Sequence, residues 1–349
     1  MSKIYANPFN WGEPVSGSQY IQRPDELQHV LSILEKPSHL ILSGYRGTGK
    51  TSFIKNLVEK ASQPSVYLDL RFIVSREGLI NLLLDALEQS FPIAKAEGRI
   101  SPLRSAAHEL ELSSIFDVWF ELVKKSNKKF ITVWDEFQHL VKLKENVADE
   151  LKEGLKHRRG FSHIFISHRS DVLHEVFNDK KNPIFNNQEF YELKNLEAKA
   201  CSKFLSQRFR RMGLSDFDLP DAVYGYTKGQ PQLTLKVAHA LAQLWLEGTT
   251  TRLLARTIPK LLTEHNALFT AMWDGFGVNE KRLLLGLASG YSHPTELGFI
   301  KKFGLSATST AHNTVSKLVR EGWLANQDEG YYIYDPLFLN WLEKREGLL

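Results

Sequence analysis

Through residue 194, apolar positions fall into short unbroken runs separated by longer stretches where they recur every three or four residues. A run without polar alternation suits a strand buried on both faces, whereas the longer spacing is that of a helix with one apolar side. The runs predict strands over His39–Ser43, Ser65–Leu70, Phe130–Trp134, His163–Ser167 and Glu189–Leu193, all buried on both faces. The spacing between them predicts helices over Thr51–Lys60, Arg76–Gln89, Ser114–Lys124, Ala148–Lys156 and Ser170–Phe177. Such alternation predicts an α/β fold, a parallel sheet with helices on both faces. The stretch Ala94–Leu112 is charged, contains Gly98 and Pro102, and reads as an insertion or a mobile connection.

After Leu193 the pattern is helical only, over Leu196–Met212, Pro220–Tyr226, Pro231–Glu247 and Thr250–His265. From about Asn279 a third pattern begins: helices over Lys281–Leu287, Pro294–Phe303 and Ser306–Glu321, the last capped by Ser and Thr. Two short strands follow, Trp323–Asn326 and Tyr331–Tyr334, around a turn at Asp328-Glu329-Gly330, and a helix over Pro336–Arg345 closes the chain. Three helices and a small hairpin make a winged helix-turn-helix. The expected division is therefore a sheet domain over 1–194, a helical lid over 195–275 and a winged helix over 276–349.

Composition changes this picture little. A chain of 349 residues with 42% hydrophobic and 24% charged residues has the make-up of a folded soluble protein of two or three domains. The net charge of +4 does not by itself announce a nucleic-acid binder. A single cysteine, Cys201, excludes a disulfide framework and suits a reducing cytoplasm. The N-terminus lacks the apolar segment of a signal peptide, and no apolar stretch approaches a membrane span, so no membrane role is expected.

The chemistry is concentrated at Gly44-Tyr45-Arg46-Gly47-Thr48-Gly49-Lys50-Thr51-Ser52, a complete GxxxxGK[ST] phosphate loop between an apolar run and a helix. At a strand-to-helix turn the loop's N–H groups and the positive helix end face a β/γ-phosphate. Lys50 then reaches the β- and γ-phosphates, and the Thr51 hydroxyl sits on Mg²⁺. The run Phe130–Trp134 ends in Asp135-Glu136. In a phosphate-loop enzyme the first acid holds the Mg²⁺ shell, and the second is placed to polarise the attacking water. A solvated acidic turn is the plain alternative for that pair taken alone. At the tip of the next strand, Arg169 either neutralises the transferring phosphoryl group or is an exposed residue in the first turn of a helix; both readings stand. No Asn-Lys-x-Asp segment that would select guanine follows the loop, which favours adenine.

Other polar clusters read more plainly. Lys156-His157-Arg158-Arg159 suits a solvated helix end, and Arg208, Arg210 and Arg211 suit a helix surface. The twelve histidines have no metal-ligand spacing; His163 and His168 read as strand-end residues, not zinc ligands.

Taken with these motifs, the chain resembles the archaeal-type ATPases, of the STAND branch of the AAA+-related NTPases and akin to archaeal origin-recognition initiators. The resemblance rests on Asn7-Pro8-Phe9, Gly12-Glu13-Pro14-Val15, Arg23-Pro24-Asp25-Glu26-Leu27, Asp135-Glu136-Phe137-Gln138, Gly229-Gln230-Pro231 and the ending Tyr331–Trp341 with Asp335-Pro336-Leu337-Phe338. It spans nearly the whole chain. It implies ATP with Mg²⁺, an adenine pocket lined from Asn7 to Arg23 (with Tyr20 and Ile21), a phosphate-sensing Arg169, and a Pro231 that touches nucleotide. Two departures accompany it: Ser167-His168 stands where many relatives have Gly-Ser, and no arginine lies between Lys180 and Phe190, where ring-forming relatives carry a finger.

The segment Glu280–Leu349 holds eight basic and eight acidic residues, so it is a poor electrostatic anchor for DNA. His312, Asn313, Ser316 and Lys317 are its candidate base readers, and the acidic wing tip Gln327-Asp328-Glu329 repels a backbone. The expectation is an ATP-binding and ATP-hydrolysing switch read by a protein partner or a second copy. A DNA-binding ATPase of the initiator or transposition-helper type is the alternative, with DNA possible but not favoured. A small-molecule kinase is a third reading, disfavoured by the winged helix.

Overall fold

The computed structural model describes residues 6–36, 39–61, 63–143, 147–155, 160–177, 188–327 and 329–347. The Lys156–Arg159 run, positions 180–187 of the arginine-free stretch, and Asp328 of the hairpin turn lie outside them. The chain forms two compact units: Gln22–Tyr45 with Gly49–Lys194, and Met1–Ile21, Arg46–Thr48 and Asn195–Leu349.

The first unit holds a five-stranded parallel sheet of β1 (His39–Ser43), β2 (Ser65–Asp69), β3 (Phe130–Asp135), β4 (Phe161–Ile166) and β5 (Gln188–Glu192). Its order is β2-β3-β4-β1-β5. All five expected strands form, with ends displaced by at most two residues. Burial on both faces holds for β3 and β4, which are buried at every position, and for the centre of β1. It fails for β2 and β5, which are half-exposed because the order places them at the sheet's edges. A sequence run shows apolarity but not lateral position. Trp119, Trp134, Phe137 and Phe165 fill the core of this unit.

The stretch expected to be an insertion or mobile connection is instead folded into that core. Pro92–Ala96 and Ile100–Ser105 are short helices, and Ala94, Ile100, Ala107 and Leu110 are buried. Its charged residues lie on the outside, where Arg104 pairs with Asp85 at 2.7 Å. A helix beyond those expected runs over Pro24–Glu35, where the proline in the first turn and buried Leu27, Val30 and Ile33 carry a helical start and spacing.

The second unit is helical apart from one hairpin. Helices run over Ala198–Arg211, Leu219–Thr227, Pro231–Leu246, Leu253–Glu264, Asn266–Gly275, Val278–Ala288, Leu297–Phe303 and Thr308–Arg320. The antiparallel strands β6 (Leu324–Gln327) and β7 (Gly330–Ile333) and the helix Pro336–Arg345 follow. One apolar core runs through all of it: Phe204, Phe209, Phe269, Trp273, Phe338 and Trp341 belong to the same cluster. Phe9 is fully buried in it, 5.2 Å from the Phe209 ring, so the N-terminal motif serves here as core. Helix Asn266–Gly275 escaped notice because only His265 separates it from the helix before. Helix Thr308–Arg320 is not capped by Ser or Thr: its N-cap is Ala307, and the Ser306 hydroxyl pairs with Thr310 Oγ1 at 2.9 Å.

Candidate active site

The phosphate loop leaves β1 and passes into helix Lys50–Ala61, anchored by fully buried Phe53, Ile54 and Leu57. Gly47 and Gly49 have φ of 79° and 82°, a backbone that side chains disfavour. Lys50 is nearly buried, and its Nζ donates to Gly44 O at 2.6 Å and Tyr45 O at 2.9 Å. The ammonium is thus folded over the loop's own carbonyls, within the segment expected to hold phosphates.

One turn into that helix, Thr51 Oγ1 donates to Asp135 Oδ2 at 2.8 Å. Asp135 ends β3 opposite Asp69 of β2. The Tyr67 hydroxyl, two residues before Asp69, also donates to Asp135 Oδ2. Sequence reasoning missed Tyr67; its signal was a phenol on the face of β2 shared with a strand-ending acid. Burial raises the Asp135 pKa, and the hydroxyls of Tyr67 and Thr51 offset it only in part. Burial and the Asp135 charge together raise the Tyr67 phenol, so it remains a proton donor. A buried carboxylate supported by neutral hydroxyls is suited to a cation, and Mg²⁺ prefers hard oxygen donors with water and phosphate. Thr51 and Asp135 fit that ion. Among the described residues no cluster of three or more His, Cys, Asp or Glu side chains is arranged around another metal position.

Glu136 is the next residue, yet its surroundings differ. Its backbone is left-handed at φ 59°, and its amide donates to Asp135 Oδ1 at 2.9 Å. Its Oε2 accepts from Gln138 Nε2 and lies 3.2 Å from His168 Nδ1. Burial alone would raise this carboxyl; the bonds from His168 and Gln138 and the charges of His168 and Lys50 outweigh it and hold the pKa at about 2. Gln138 is itself buried, and Ser167 Oγ donates to its Oε1 at 2.6 Å. Ser167 Oγ in turn accepts from the Arg169 amide at 2.9 Å.

The structure therefore brings Lys50, Thr51, Asp135 and Glu136 into one network at the carboxyl ends of the strands. The Arg169 guanidinium lies on Asp171, with Nε–Oδ1 at 3.0 Å and Nη2–Oδ2 at 2.6 Å, in the first turn of helix Ser170–Phe177. Arg23 is buried in the sheet unit and pairs with Glu26 at 2.8 Å. Tyr20 and Ile21 are buried in the helical unit. Pro231, also in that unit, opens helix Pro231–Leu246. Gly229 before it has φ 68°, and a Cβ there would lie 2.4 Å from Leu196 O. Arg46, Gly47 and Thr48 group with this same unit, within which Gln230 Nε2 donates to Arg46 O at 3.1 Å and the Gln232 amide to Gly47 O at 3.2 Å.

His163 is an interior residue of β4, not a strand end as expected. It stacks on His39 with ring centroids 5.1 Å apart, and burial lowers both pKa values, that of His39 to about 4. In the winged-helix segment His312, Asn313 and Ser316 are exposed, while Lys317 is paired with Glu280. No helix among the described residues is long and apolar enough to cross a membrane.

Comparison with known proteins bears on the family and the fold. A family described as an ATPase domain predominantly from Archaea matches residues 20–237, and a probable winged helix domain matches 267–344. Among solved structures, the Walker-type ATPase paby2304 of Pyrococcus abyssi is similar with a TM-score of 0.72 and 18% identity, over 93% of this chain and 96% of that one. The Aeropyrum pernix ORC2 protein, in ADPNP and ADP complexes, gives 0.59 at 14% identity over 93% and 94%. The Aeropyrum pernix ORC1 protein in complex with DNA gives 0.52 at 14% identity over 93% and 94%. At these identities the likeness is one of fold. No curated protein matches significantly.

Proposed function

Because this chain belongs to the family of ATPase domains found predominantly in Archaea, we propose that it binds ATP with Mg²⁺ at Gly44–Ser52 and hydrolyses it slowly. The observation that carries this reading is the convergence of Lys50, Thr51, Asp135 and Glu136, with Thr51 and Asp135 bonded at 2.8 Å. Lys50 exchanges its bonds to loop carbonyls for phosphate oxygens. Thr51 and Asp135 hold the Mg²⁺ ion, whose charge offsets that of the phosphates. Glu136, ionised across the whole working range, orients the attacking water. The adenine sits against the segment containing Tyr20, Ile21 and Arg23, Pro231 lies near the nucleotide, and Arg169 leaves Asp171 to face the phosphates.

The finer reading is a STAND-type switch whose nucleotide state sets the arrangement of the sheet domain, helical lid and winged helix, taken as 1–194, 195–275 and 276–349. A protein partner or a second copy reads that arrangement. The bonds of Gln230 and Gln232 to Arg46 and Gly47 support it, since they tie the lid motif to the loop's apex. A cytoplasmic setting accords with the single cysteine, Cys201, whose burial raises its pKa to about 12 and leaves it unreactive. The test is ATPase measured with and without duplex DNA on the native chain, Lys50→Ala and Glu136→Gln. Lys50→Ala loses most of the binding, and Glu136→Gln keeps binding but loses most of its turnover. Normal turnover by Glu136→Gln would remove its assigned role.

A second reading, a DNA-associated ATPase, is favoured by the likeness to an ORC1 protein solved with DNA and by exposed His312, Asn313 and Ser316. The pairing of Lys317 with Glu280 and the neutral charge balance weigh against it. DNA affinity that falls steeply with salt, with stimulated ATPase, would establish it.

A further inference from the structure

We infer that Gln138 is a positioning residue for the hydrolysis step: it fixes the Glu136 carboxylate and couples it to Ser167 at the end of β4. The inference rests on the ATPase reading above. Glu136 has the one acidic side chain in the network on a left-handed backbone, at φ 59°. For a non-glycine residue that conformation costs on the order of 1 kcal/mol, so something must hold it. The geometry shows what does.

The Gln138 amide is used at both ends. Nε2 donates to Glu136 Oε2, and Oε1 accepts from Ser167 Oγ at 2.6 Å. The carboxylate removes the ambiguity of the amide: an ionised carboxylate only accepts, so the NH₂ group must face Glu136, and Oε1 is left to accept from the Ser167 hydroxyl. Gln138 is only 2% exposed, so rotating the amide away would strand polar groups at both ends. Ser167 is fixed in turn by the Arg169 amide, 2.9 Å from its Oγ. His168 Nδ1 meets Glu136 at the same oxygen, 3.2 Å away. Among the described residues, both side-chain bonds to this carboxylate fall on Oε2. The carboxylate is thereby pinned on one side, and Oε1 is the oxygen presented to a water.

The pinning has a consequence for chemistry. With Oε2 held by two neighbours the carboxylate is fixed in direction, so its contribution through Oε1 is orientation of the water, which depends on the clamp. Gln138 touches neither nucleotide nor water in this scheme; it acts through Glu136. The relay from the end of β4 through Ser167 and Gln138 gives that strand a route to the water-orienting acid without using the Arg169 side chain.

The experiment is a mutant cycle on the full chain, with MgATP affinity by calorimetry and turnover by phosphate release. Gln138→Ala lowers kcat about 10- to 100-fold, the range expected when a reacting group is misplaced by about an ångström, with the MgATP Kd unchanged. Gln138→Glu, which removes the donor and adds repulsion, lowers kcat further at the same Kd. Ser167→Ala shows a smaller loss of the same type. Adding Gln138→Ala to Glu136→Gln causes no further loss, because the residue acts only through that carboxylate. Wild-type kcat in Gln138→Ala, a change confined to Kd, or a multiplicative loss in the double variant would overturn the inference. A native chain that binds MgATP but shows no turnover would instead overturn the ATPase reading. Thermal melts of each variant separate misfolding from mispositioning, and the Ser167→Ala arm carries the test if Gln138→Ala does not fold.

Discussion

Asp135 and Glu136 are consecutive acids at one strand tip, both largely withdrawn from solvent, and their pKa values move in opposite directions. Burial raises Asp135, whose donors are the neutral hydroxyls of Tyr67 and Thr51. Burial also pushes on Glu136, but His168, Gln138 and the Lys50 charge hold it at about 2. The difference is in what each acid lacks. Asp135 has been desolvated without gaining a positive charge, so a cation brings it the largest benefit. Glu136 stays ionised because the donors and positive charge around it already compensate its charge, so a further cation benefits it less. One strand end thus sets a desolvated acid with neutral donors beside an acid already held by its neighbours, the contrast that the proposed roles of metal ligand and water-orienting residue require.

The sharpest way to break this contrast is to remove the ammonium whose charge helps hold Glu136 down. Lys50→Ala deletes an ammonium that donates to Gly44 and Tyr45 and, in the proposed function, to phosphate. Charge-assisted bonds worth roughly 3 kcal/mol disappear, so MgATP affinity falls on the order of 100-fold by calorimetry. Glu136→Gln acts on one acid only. It lowers turnover by about 100-fold or more while MgATP affinity is held, the loss expected when the group that orients a reactant is removed from the chemical step. A comparable fall in affinity would show that the two acids are not separable.

Much of this site is legible in the sequence, and what is not has a physical cause. Lys50, Thr51 and the pair Asp135-Glu136 are visible because loop geometry and a strand end demand those residue types at those spacings. Tyr67 and Gln138 are not, since each acts across the sheet and depends on strand order. β2 lies beside β3, and β4 lies on its other side; nothing in either run announces this. The same blindness to lateral position led β2 and β5 to be read as buried strands. Ala94–Leu112 misled for a different reason: its charges are the outer faces of helices too short to show a period. The continuous core from Phe204 to Trp341 is similarly invisible, because periodicity shows which face is apolar and not which helix covers it.

A gentler perturbation tests the proposed metal-ligand role of Asp135. Tyr67→Phe removes one donor from buried Asp135 and nothing from Glu136. Stability without nucleotide falls by about 1 to 2 kcal/mol, as for other bonds to a buried charged group, in a denaturant titration. With Mg²⁺ and nucleotide the deficit shrinks, because the cation supplies what the phenol gave. A deficit that stays constant would mean that Asp135 does not meet the ion.

The smallest effect lies in the acid titration of stability, where the same sheet offers groups of opposite kind. Glu136 has a pKa depressed to about 2. Its contribution is therefore present above the unfolded value of about 4.5 and is lost as pH falls from there towards 2. His39 is lowered by burial to about 4, and its neighbour His163 lies well below its ordinary value. For these the unfolded chain binds more protons below about 6.5, so their contribution is present above 6.5 and is lost as pH falls towards 4. Stability followed from pH 7 to 2.5 then declines in two stages, histidine first and carboxylate second. His39→Asn, which keeps an acceptor for the His163 amide, reduces the first stage to the His163 part and leaves the second. Glu136→Gln does the reverse. A first stage unchanged in His39→Asn would show that the stacked pair is not what buried neutral imidazole contributes to this sheet.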